Sequence, residues 1–201
     1  MRWRCGPAGH DEAALAAAWR TAAPFPHLII DDVVEDADLE ELLAIIDDEP
    51  AATYQAEIFT FDATAALPTT AAFRALREAF AATFAAPLAR ITGKAVTRVD
   101  MRGFAYGPGH YLLPHTDHQD GLDRRLAYAY YLPSASAPVG GELELYRCAH
   151  DGAELTSTEP ALLIAPRANR LVVFDVSDVS LHQVREVLGG LRLSLAGWFY
   201  P

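Results

Sequence analysis

The sequence has 201 residues, of which 51% are hydrophobic and 21% charged, so it suffices for one well-filled core and excludes a wholly disordered chain. Its formal charge of −11 disfavours a nucleic-acid partner, because an acidic surface repels phosphate groups. With only Cys5 and Cys148 present, a disulfide framework or a structural zinc site is not expected. No signal peptide or membrane-spanning stretch stands out. We therefore expect one cytoplasmic domain over residues 1–201, without a membrane partner and with an oligomeric state that the sequence leaves open.

The first half of the chain has helical spacing of its apolar residues, which predicts helical support over about residues 11–93. Three helices are predicted, at residues 11–23, 37–48 and 70–92. Asp36 is the predicted N-cap of the second helix, and Thr69 or Thr70 is that of the third. Gly93 is its predicted end, because glycine readily adopts the left-handed conformation that closes a helix.

After the third helix the spacing changes to that of β-strands. The segments are short, rich in β-branched or aromatic residues, and separated by Pro, Gly, Asp or Asn. Together with an earlier run at 25–32, they lie at residues 95–106, 110–117, 126–132, 141–147, 161–164, 170–175, 180–187 and 191–200. We predict a mainly β fold with N-terminal helices, namely a double-stranded β-helix (a jelly roll, cupin-like) with its core over about residues 95–200.

An HxD pattern, His115 and Asp117, ends one of these strands. Residues i and i+2 of a strand point to the same face, so both side chains can meet one ion, and the same parity places Tyr111 and Leu113 on that face. A second histidine would complete two imidazoles and one carboxylate, a set that suits iron(II) and leaves three coordination positions open. Two open positions suit a chelating 2-oxo acid and the third suits O2.

His182 is the predicted second imidazole, because it is the histidine that lies within a later strand-like segment, SLHQVREV. Ten residues further on, RLSLAGWFY alternates and places Arg192 on the same strand face as Ser194 and Trp198. An inward-facing arginine costs several kcal/mol unless it is paired. The distal carboxylate of 2-oxoglutarate is a suitable partner, because a guanidinium fork matches a carboxylate.

A second HxD pattern, His118 and Asp120, competes with the first. A lone HxD is weak, since it arises often by chance. We prefer His115 and Asp117 because they end a strand-like run, whereas Asp120 and Gly121 are typical of a turn. His182 or Arg192 alone would equally fit an ordinary core or surface residue; the ordered set of HxD, later strand histidine and arginine is far more specific.

Five segments carry a family resemblance: YGPGHYLLPHTDH (106–118), RRLAYAYYLP (124–133), GGELELY (140–146), NRLVVFD (169–175) and HQVREVLGGLRLSLAGWFY (182–200). Together with FPHLIIDD, they resemble the iron(II)/2-oxoglutarate-dependent dioxygenases. Within that superfamily they resemble the prolyl-hydroxylase-like branch, in particular the catalytic domain of the ribosomal-protein prolyl hydroxylases. The resemblance covers roughly residues 25–200.

The resemblance implies that iron(II) is bound by His115, Asp117 and His182, and that Arg192 binds the C5 carboxylate of 2-oxoglutarate. It implies iron(II), 2-oxoglutarate and O2 as metal and co-substrates, with ascorbate as a stimulant. Related iron halogenases hold a small residue where this chain has Asp117, so the aspartate predicts hydroxylation rather than chlorination.

Tyr106 and Tyr131 are implied by the same resemblance to hydrogen-bond the co-substrate, although each would also fit an ordinary core aromatic. Ser194, on the strand face of Arg192, is a further candidate for binding it. Strand parity predicts that Tyr128 and Tyr130 face away from Tyr131 and pack in the core.

The implied reaction hydroxylates an unactivated C–H bond and releases succinate and CO2, with a prolyl residue or a proline-like or amino-acid compound as substrate. Trp198 is a candidate for lining the substrate pocket. The enzymes that the chain resembles carry a second, C-terminal domain, whereas this sequence ends after the catalytic motif, so a peptide, a free amino acid or another small molecule is also expected as substrate. Two alternatives stay open: a natural-product tailoring oxygenase acting on a small molecule or carrier-bound intermediate, and a non-catalytic jelly-roll binding domain.

Overall fold

The computed structural model describes Trp3, residues 11–151 and residues 154–201; Cys5 lies outside this part of the chain. The described helices are α1 (Glu12–Thr21), α2 (Asp36–Asp47) and α3 (Ala71–Thr92). The described strands are β1 (His27–Asp31), β2 (Ala51–Ala56), β3 (Phe59–Thr64), β4 (Arg98–Val99), β5 (Arg102–Tyr106), β6 (Tyr111–His115), β7 (Leu126–Leu132), β8 (Val139–Gly140), β9 (Leu143–Asp151), β10 (Glu154–Ile164), β11 (Arg170–Asp175), β12 (His182–Val184), β13 (Val187–Gly189) and β14 (Arg192–Tyr200). In this part of the chain, no helix is both long and apolar enough to cross a membrane.

Capping residues define both ends of α3, whereas α2 begins without a side-chain cap. The side chain of Thr70 accepts a hydrogen bond from the backbone N–H of Phe73, and Gly93 closes α3 with a φ of 73°, both as predicted. The predicted cap of α2 was wrong: Glu35 is the N-cap, without a side-chain cap hydrogen bond, and Asp36 is already the first helical residue. In that position its carboxylate still interacts favourably with the positive, N-terminal end of the helix dipole.

Twelve strands form one antiparallel sheet in the order β1-β11-β7-β14-β5-β3-β6-β12-β9-β10, with β2 on β3 and β4 on β14. The sheet curls on itself, since Leu143 and Leu145 of β9 pack against Val172 and Phe174 of β11. This is the predicted jelly roll with N-terminal helices. A cleft lies inside the curl, between strands β5 and β14 on one side and β6 and β12 on the other.

The helices cover the outer face of the part of the sheet that contains β1, β11, β7 and β14. Tyr128 and Tyr130 of β7 join the cluster that contains the apolar faces of α2 and α3, whereas Tyr131 faces the inside of the curl. The predicted opposite orientation of these tyrosines is confirmed. On β14, Leu195 likewise packs against the helices while Trp198 faces inward. Two-residue alternation therefore decides which side chains can reach the site.

The β2–β3 hairpin and the full length of β10 were not predicted. Every residue of β2 is exposed, so its sequence carries no alternation of apolar and polar residues to detect. The segment predicted as one strand at residues 95–106 forms two strands, β4 and β5. The segment predicted at 180–187 forms β12, and its last residue, Val187, already belongs to β13.

The predicted face of Tyr111 and Leu113 was wrong. His115 pairs with His182 while Leu112 pairs with Val184, so β6 carries one extra residue between these pairs. Such a bulge reverses the parity of the residues that precede it. Leu112 therefore lines the central cleft, and Leu113 is 41% exposed on the other side.

Candidate functional site

A cleft of about 760 Å³ opens inside the curl of the sheet. Its walls come from both halves: Phe104 and Tyr106 of β5 and Trp198 of β14 on one side, His115 of β6 and His182 of β12 on the other. Such a volume accommodates a small co-substrate together with part of a second molecule.

His115, Asp117 and His182 converge at this cleft. The Nε2 atom of His115 lies 3.8 Å from one carboxylate oxygen of Asp117, and the Nε2 atom of His182 lies 3.5 Å from the other. Their potential ligand atoms all lie within 4.8 Å of one another, the one such group found among the described residues. Three ligand atoms at this spacing on one side of a point can bind a single metal ion.

The backbone fixes the tautomer of both histidines. The Nδ1 atom of His115 lies 2.9 Å from the carbonyl oxygen of Leu113, and that of His182 lies 2.9 Å from the carbonyl oxygen of Ser180. Because a carbonyl oxygen only accepts, each Nδ1 must carry the proton and donate it. The Nε2 lone pairs are therefore free to bind a metal ion, since a hydrogen bond from the other ring nitrogen fixes the orientation of a metal-binding histidine.

Burial keeps His182 in the form that binds a metal. Loss of hydration lowers the pKa of His182 to about 4, the nearby His115 acts in the same direction, and the carboxylate of Asp117 opposes the shift. The imidazole of His182 is therefore neutral near pH 7, with its Nε2 lone pair available.

The second HxD lies elsewhere. The side chains of His118 and Asp120 are 44% and 109% exposed, and His118 also approaches Asp178, at 3.4 Å. Surface groups of this kind gain little by pairing and do not converge with a further histidine. The geometry favours His115 and Asp117 over His118 and Asp120.

Arg192 is buried in the same cleft, with 3% of its surface exposed. Its guanidinium carbon lies 4.8 Å from the ring centre of Tyr106 and 4.9 Å from that of Tyr131. Its Nη1 atom donates to the hydroxyl of Ser194 at 3.3 Å, while Nε has no hydrogen-bond partner in the described part of the chain. No ion pair among the described residues includes Arg192, so this buried cation lacks an anion.

Tyr106 and Tyr131 both pack against the guanidinium of Arg192. The hydroxyl of Tyr131 is buried and has no hydrogen-bond partner among the residues that the structure describes. Burial raises the pKa of Tyr106 to about 12, although the charge of Arg192 opposes the shift. Its phenol therefore stays protonated and can donate a hydrogen bond. Arg192, Tyr131 and Tyr106 together offer unused donors that suit a carboxylate.

Several cleft residues were not singled out from the sequence. Arg102 shares the strand parity of Tyr106, so alternation along β5 was a usable signal. Asp100 lies between β4 and β5, where one of its oxygens accepts from the backbone N–H of Trp198 at 2.6 Å. Gly197 makes this contact possible, since a Cβ there would lie 2.5 Å from Asp100. No local pattern reveals that contact, because 98 residues separate its partners.

Comparison with known proteins agrees with this geometry. Residues 101–200 match the family described as the 2OG-Fe(II) oxygenase superfamily. The chain belongs to this superfamily. Iron(II), 2-oxoglutarate and O2 are the metal and co-substrates that membership implies, and the His-Asp-His cluster and the unpaired Arg192 fit them.

Among curated members of the superfamily, prolyl 3-hydroxylase OGFOD1 of Xenopus laevis is 35% identical over 192 residues. The match covers 89% of this chain and 35% of that protein, so the chain spans about a third of its relative's length.

Two solved structures share the fold. A Pseudomonas putida prolyl-4-hydroxylase matches with a TM-score of 0.68 and 22% identity, covering 92% of this chain and 98% of that one. A prolyl hydroxylase of Trichoplax adhaerens, solved with a hypoxia inducible factor peptide fragment, matches with a TM-score of 0.69 and 16% identity, covering 94% and 88%.

Proposed function

We propose that this chain is an iron(II)- and 2-oxoglutarate-dependent hydroxylase that acts on a prolyl residue or a proline-like compound. The observation that carries the proposal is the convergence, in one cleft, of three potential metal-ligand atoms with a buried arginine that has no anionic partner among the described residues. The sequence identity to a prolyl 3-hydroxylase supports the substrate class. It also disfavours a natural-product tailoring role.

In this proposal His115, Asp117 and His182 hold the iron through two Nε2 atoms and one carboxylate oxygen. Bound iron(II) supplies the redox chemistry that couples O2 and 2-oxoglutarate to oxygenation of a C–H bond, with succinate and CO2 as by-products. The carbonyl groups of Leu113 and Ser180 keep the histidine rings in the required tautomer and orientation.

Arg192 is proposed to bind the C5 carboxylate of 2-oxoglutarate. A carboxylate beside its guanidinium would neutralise the buried charge and accept from the unpaired Nε atom. The hydroxyl of Ser194 accepts from Arg192 and the ring of Tyr131 packs against the same guanidinium, and both hydroxyl groups are proposed to bind the same carboxylate. Tyr106, which keeps its proton, is proposed to donate a further hydrogen bond to the co-substrate.

The wall beside the metal ligands is proposed to receive the substrate. Trp198 lines the cleft there, and the guanidinium carbon of Arg124 lies 3.5 Å from its ring centre. Arg124 also donates to the backbone carbonyl of Asp117 at 3.2 Å. These contacts hold an aromatic surface next to the metal position, where a saturated five-membered ring can pack.

The decisive experiment supplies the full chain with iron(II), 2-oxoglutarate, O2 and a set of proline-containing peptides, with free proline as a parallel substrate. We expect one substrate to gain a single oxygen atom by mass spectrometry, together with an equal amount of succinate. The Asp117→Ala variant is the matched negative control. Absence of any 2-oxoglutarate turnover, with every substrate and without one, would exclude the proposed activity and leave the non-catalytic binding domain as the better interpretation.

A further inference from the structure

The charges inside the cleft differ in sign from the charge of the whole chain. The sequence has 27 acidic and 16 basic residues, yet the charged residues that line the cleft are three arginines and two aspartates. Both aspartates are engaged: Asp117 with the two histidines, and Asp100 with the backbone N–H of Trp198 and, at 2.9 Å, the hydroxyl of Tyr200. The cleft is therefore a cationic surface in an acidic protein, and it can attract anions that the outer surface repels.

Arg102 lies apart from the proposed 2-oxoglutarate site. On the β5–β14 ladder, Tyr106 pairs with Arg192 whereas Arg102 pairs with Ala196, four residues or about 13 Å further along the strand. Arg192 stacks on Tyr106, whose ring centre is 6.5 Å from that of Phe104, and Arg102 lies 5.3 Å from the Phe104 ring centre. Two aromatic rings therefore separate the guanidinium groups, and one 2-oxoglutarate molecule does not bridge them.

The guanidinium of Arg102 is oriented but incompletely bonded. Its Nε atom donates to the backbone carbonyl of Thr64 at 2.7 Å, and its guanidinium carbon lies 4.7 Å from the ring centre of Tyr54. Its Nη2 atom is buried without a hydrogen-bond partner, and no ion pair among the described residues includes Arg102. Because two rings and a carbonyl group already fix the side chain, little conformational entropy remains to be lost when an anion binds.

Arg124, the remaining cleft arginine, is a weaker candidate for binding an anion. Its Nε atom is also buried without a hydrogen-bond partner among the described residues, but its Nη1 atom already donates to the carbonyl group of Asp117 and its guanidinium stacks on Trp198. Arg102 has no comparable task next to the metal ligands.

We propose that Arg102 binds a carboxylate of the primary substrate, so that the preferred substrate carries an acidic group close to the atom that is hydroxylated. The proposal rests on the proposed function and narrows its substrate class. The carboxylate has two chemical sources, an acidic side chain flanking a prolyl residue or the α-carboxylate of a free amino acid. In both, the guanidinium fork binds the two oxygen atoms and the unpaired Nη2 gains an acceptor.

The test compares acids with matched amides. The first probes are N-acetylated, C-amidated alanine peptides with a central proline, in which one alanine at a time is replaced by Glu or by Gln; the second pair is L-proline and L-prolinamide. Dissociation constants are measured on the full chain with iron(II) and 2-oxoglutarate, without O2. We expect at least one acid to bind about tenfold or more tightly than its amide partner, and the successful arm identifies the source of the carboxylate.

The variants assign this preference to Arg102. Arg102→Met should remove the preference for the acid while changing the affinity for the amide less than about twofold, and Arg102→Lys should retain part of it. Arg98→Met is the matched control, because Arg98 also stacks on a tyrosine, 4.0 Å from the Tyr200 ring centre, but does not line the cleft. Stabilisation of each variant by 2-oxoglutarate verifies that it is folded.

Two results would overturn the proposal: no acid probe that binds better than its amide, including the case in which no probe binds, or a preference that Arg102→Met leaves unchanged. A parallel assay of succinate formation with O2 separates this inference from the proposed function. An acid preference that depends on Arg102, without any turnover, would refute the proposed hydroxylase activity and support the anion site at Arg102. Turnover without an acid preference would support the hydroxylase activity and refute the anion site.

Discussion

Replacing Arg192 by methionine should affect the protein in two opposite ways. Without 2-oxoglutarate, Arg192 is a buried cation with no carboxylate partner among the described residues, so Ser194 and the rings of Tyr106 and Tyr131 recover only part of its free energy of desolvation. Methionine has a similar length and no charge, so the unliganded variant should be at least as stable as the natural protein. With 2-oxoglutarate, the variant should lose the proposed charge-assisted pair, worth about 2–5 kcal/mol, which corresponds to an affinity lower by about 30-fold to several thousandfold.

Thermal unfolding with iron(II) and without O2 measures both effects. At 2-oxoglutarate concentrations about 100 times its Kd, the natural protein should gain about 2.7 kcal/mol, or about 5–11 °C in Tm for a chain of this size. At the same concentration, a 30-fold weaker variant should gain only about 0.9 kcal/mol, or about 2–4 °C. Arg98→Met, which removes an arginine outside the cleft, should keep the full shift. A full shift in Arg192→Met, or a large loss of stability in its unliganded form, would refute this reasoning.

Four further predictions follow from the site. His115→Ala should abolish iron binding, measured by metal analysis after dialysis, while His118→Ala should retain it; the reverse result would assign the metal to the second HxD. Because Asp117 is proposed to be a metal ligand, turnover in labelled O2 with excess chloride should give a product with one labelled oxygen, and a chlorinated product would contradict this role. Tyr131→Phe removes a buried hydroxyl without a partner, so stability without ligand should be unchanged or higher while the affinity for 2-oxoglutarate falls a few-fold; equal affinities would exclude this contact. The pKa of His182 is about 4 in the folded chain, below the ordinary 6.5, so the unfolded chain binds more protons between these values; the stability of the metal-free protein to urea should therefore fall as the pH drops from about 6.5 towards 4, and His182→Gln should remove part of this slope.

The sequence by itself predicted the elements that depend on local periodicity. The three helices follow from the spacing of apolar residues and from end signals such as Thr70 and Gly93. The orientation of β14 follows from two-residue alternation, which places Arg192 inside the curl and Leu195 under the helices. The residues proposed as metal ligands could be selected because their chemical types, order and strand context restrict the choice strongly.

Only the tertiary structure decided the features that depend on pairing between distant strands. Because β6 has a bulge opposite β12, Leu112 rather than Leu113 lines the cleft. Such a register shift cannot be detected in the sequence of one strand. The β2–β3 hairpin brings Tyr54 to Arg102, although the exposed residues of β2 have no detectable period. The contact between Asp100 and the backbone of Trp198 likewise joins two strands far apart in the chain. Local periodicity reports which side of an element is buried, whereas the partner that buries it is set by long-range packing.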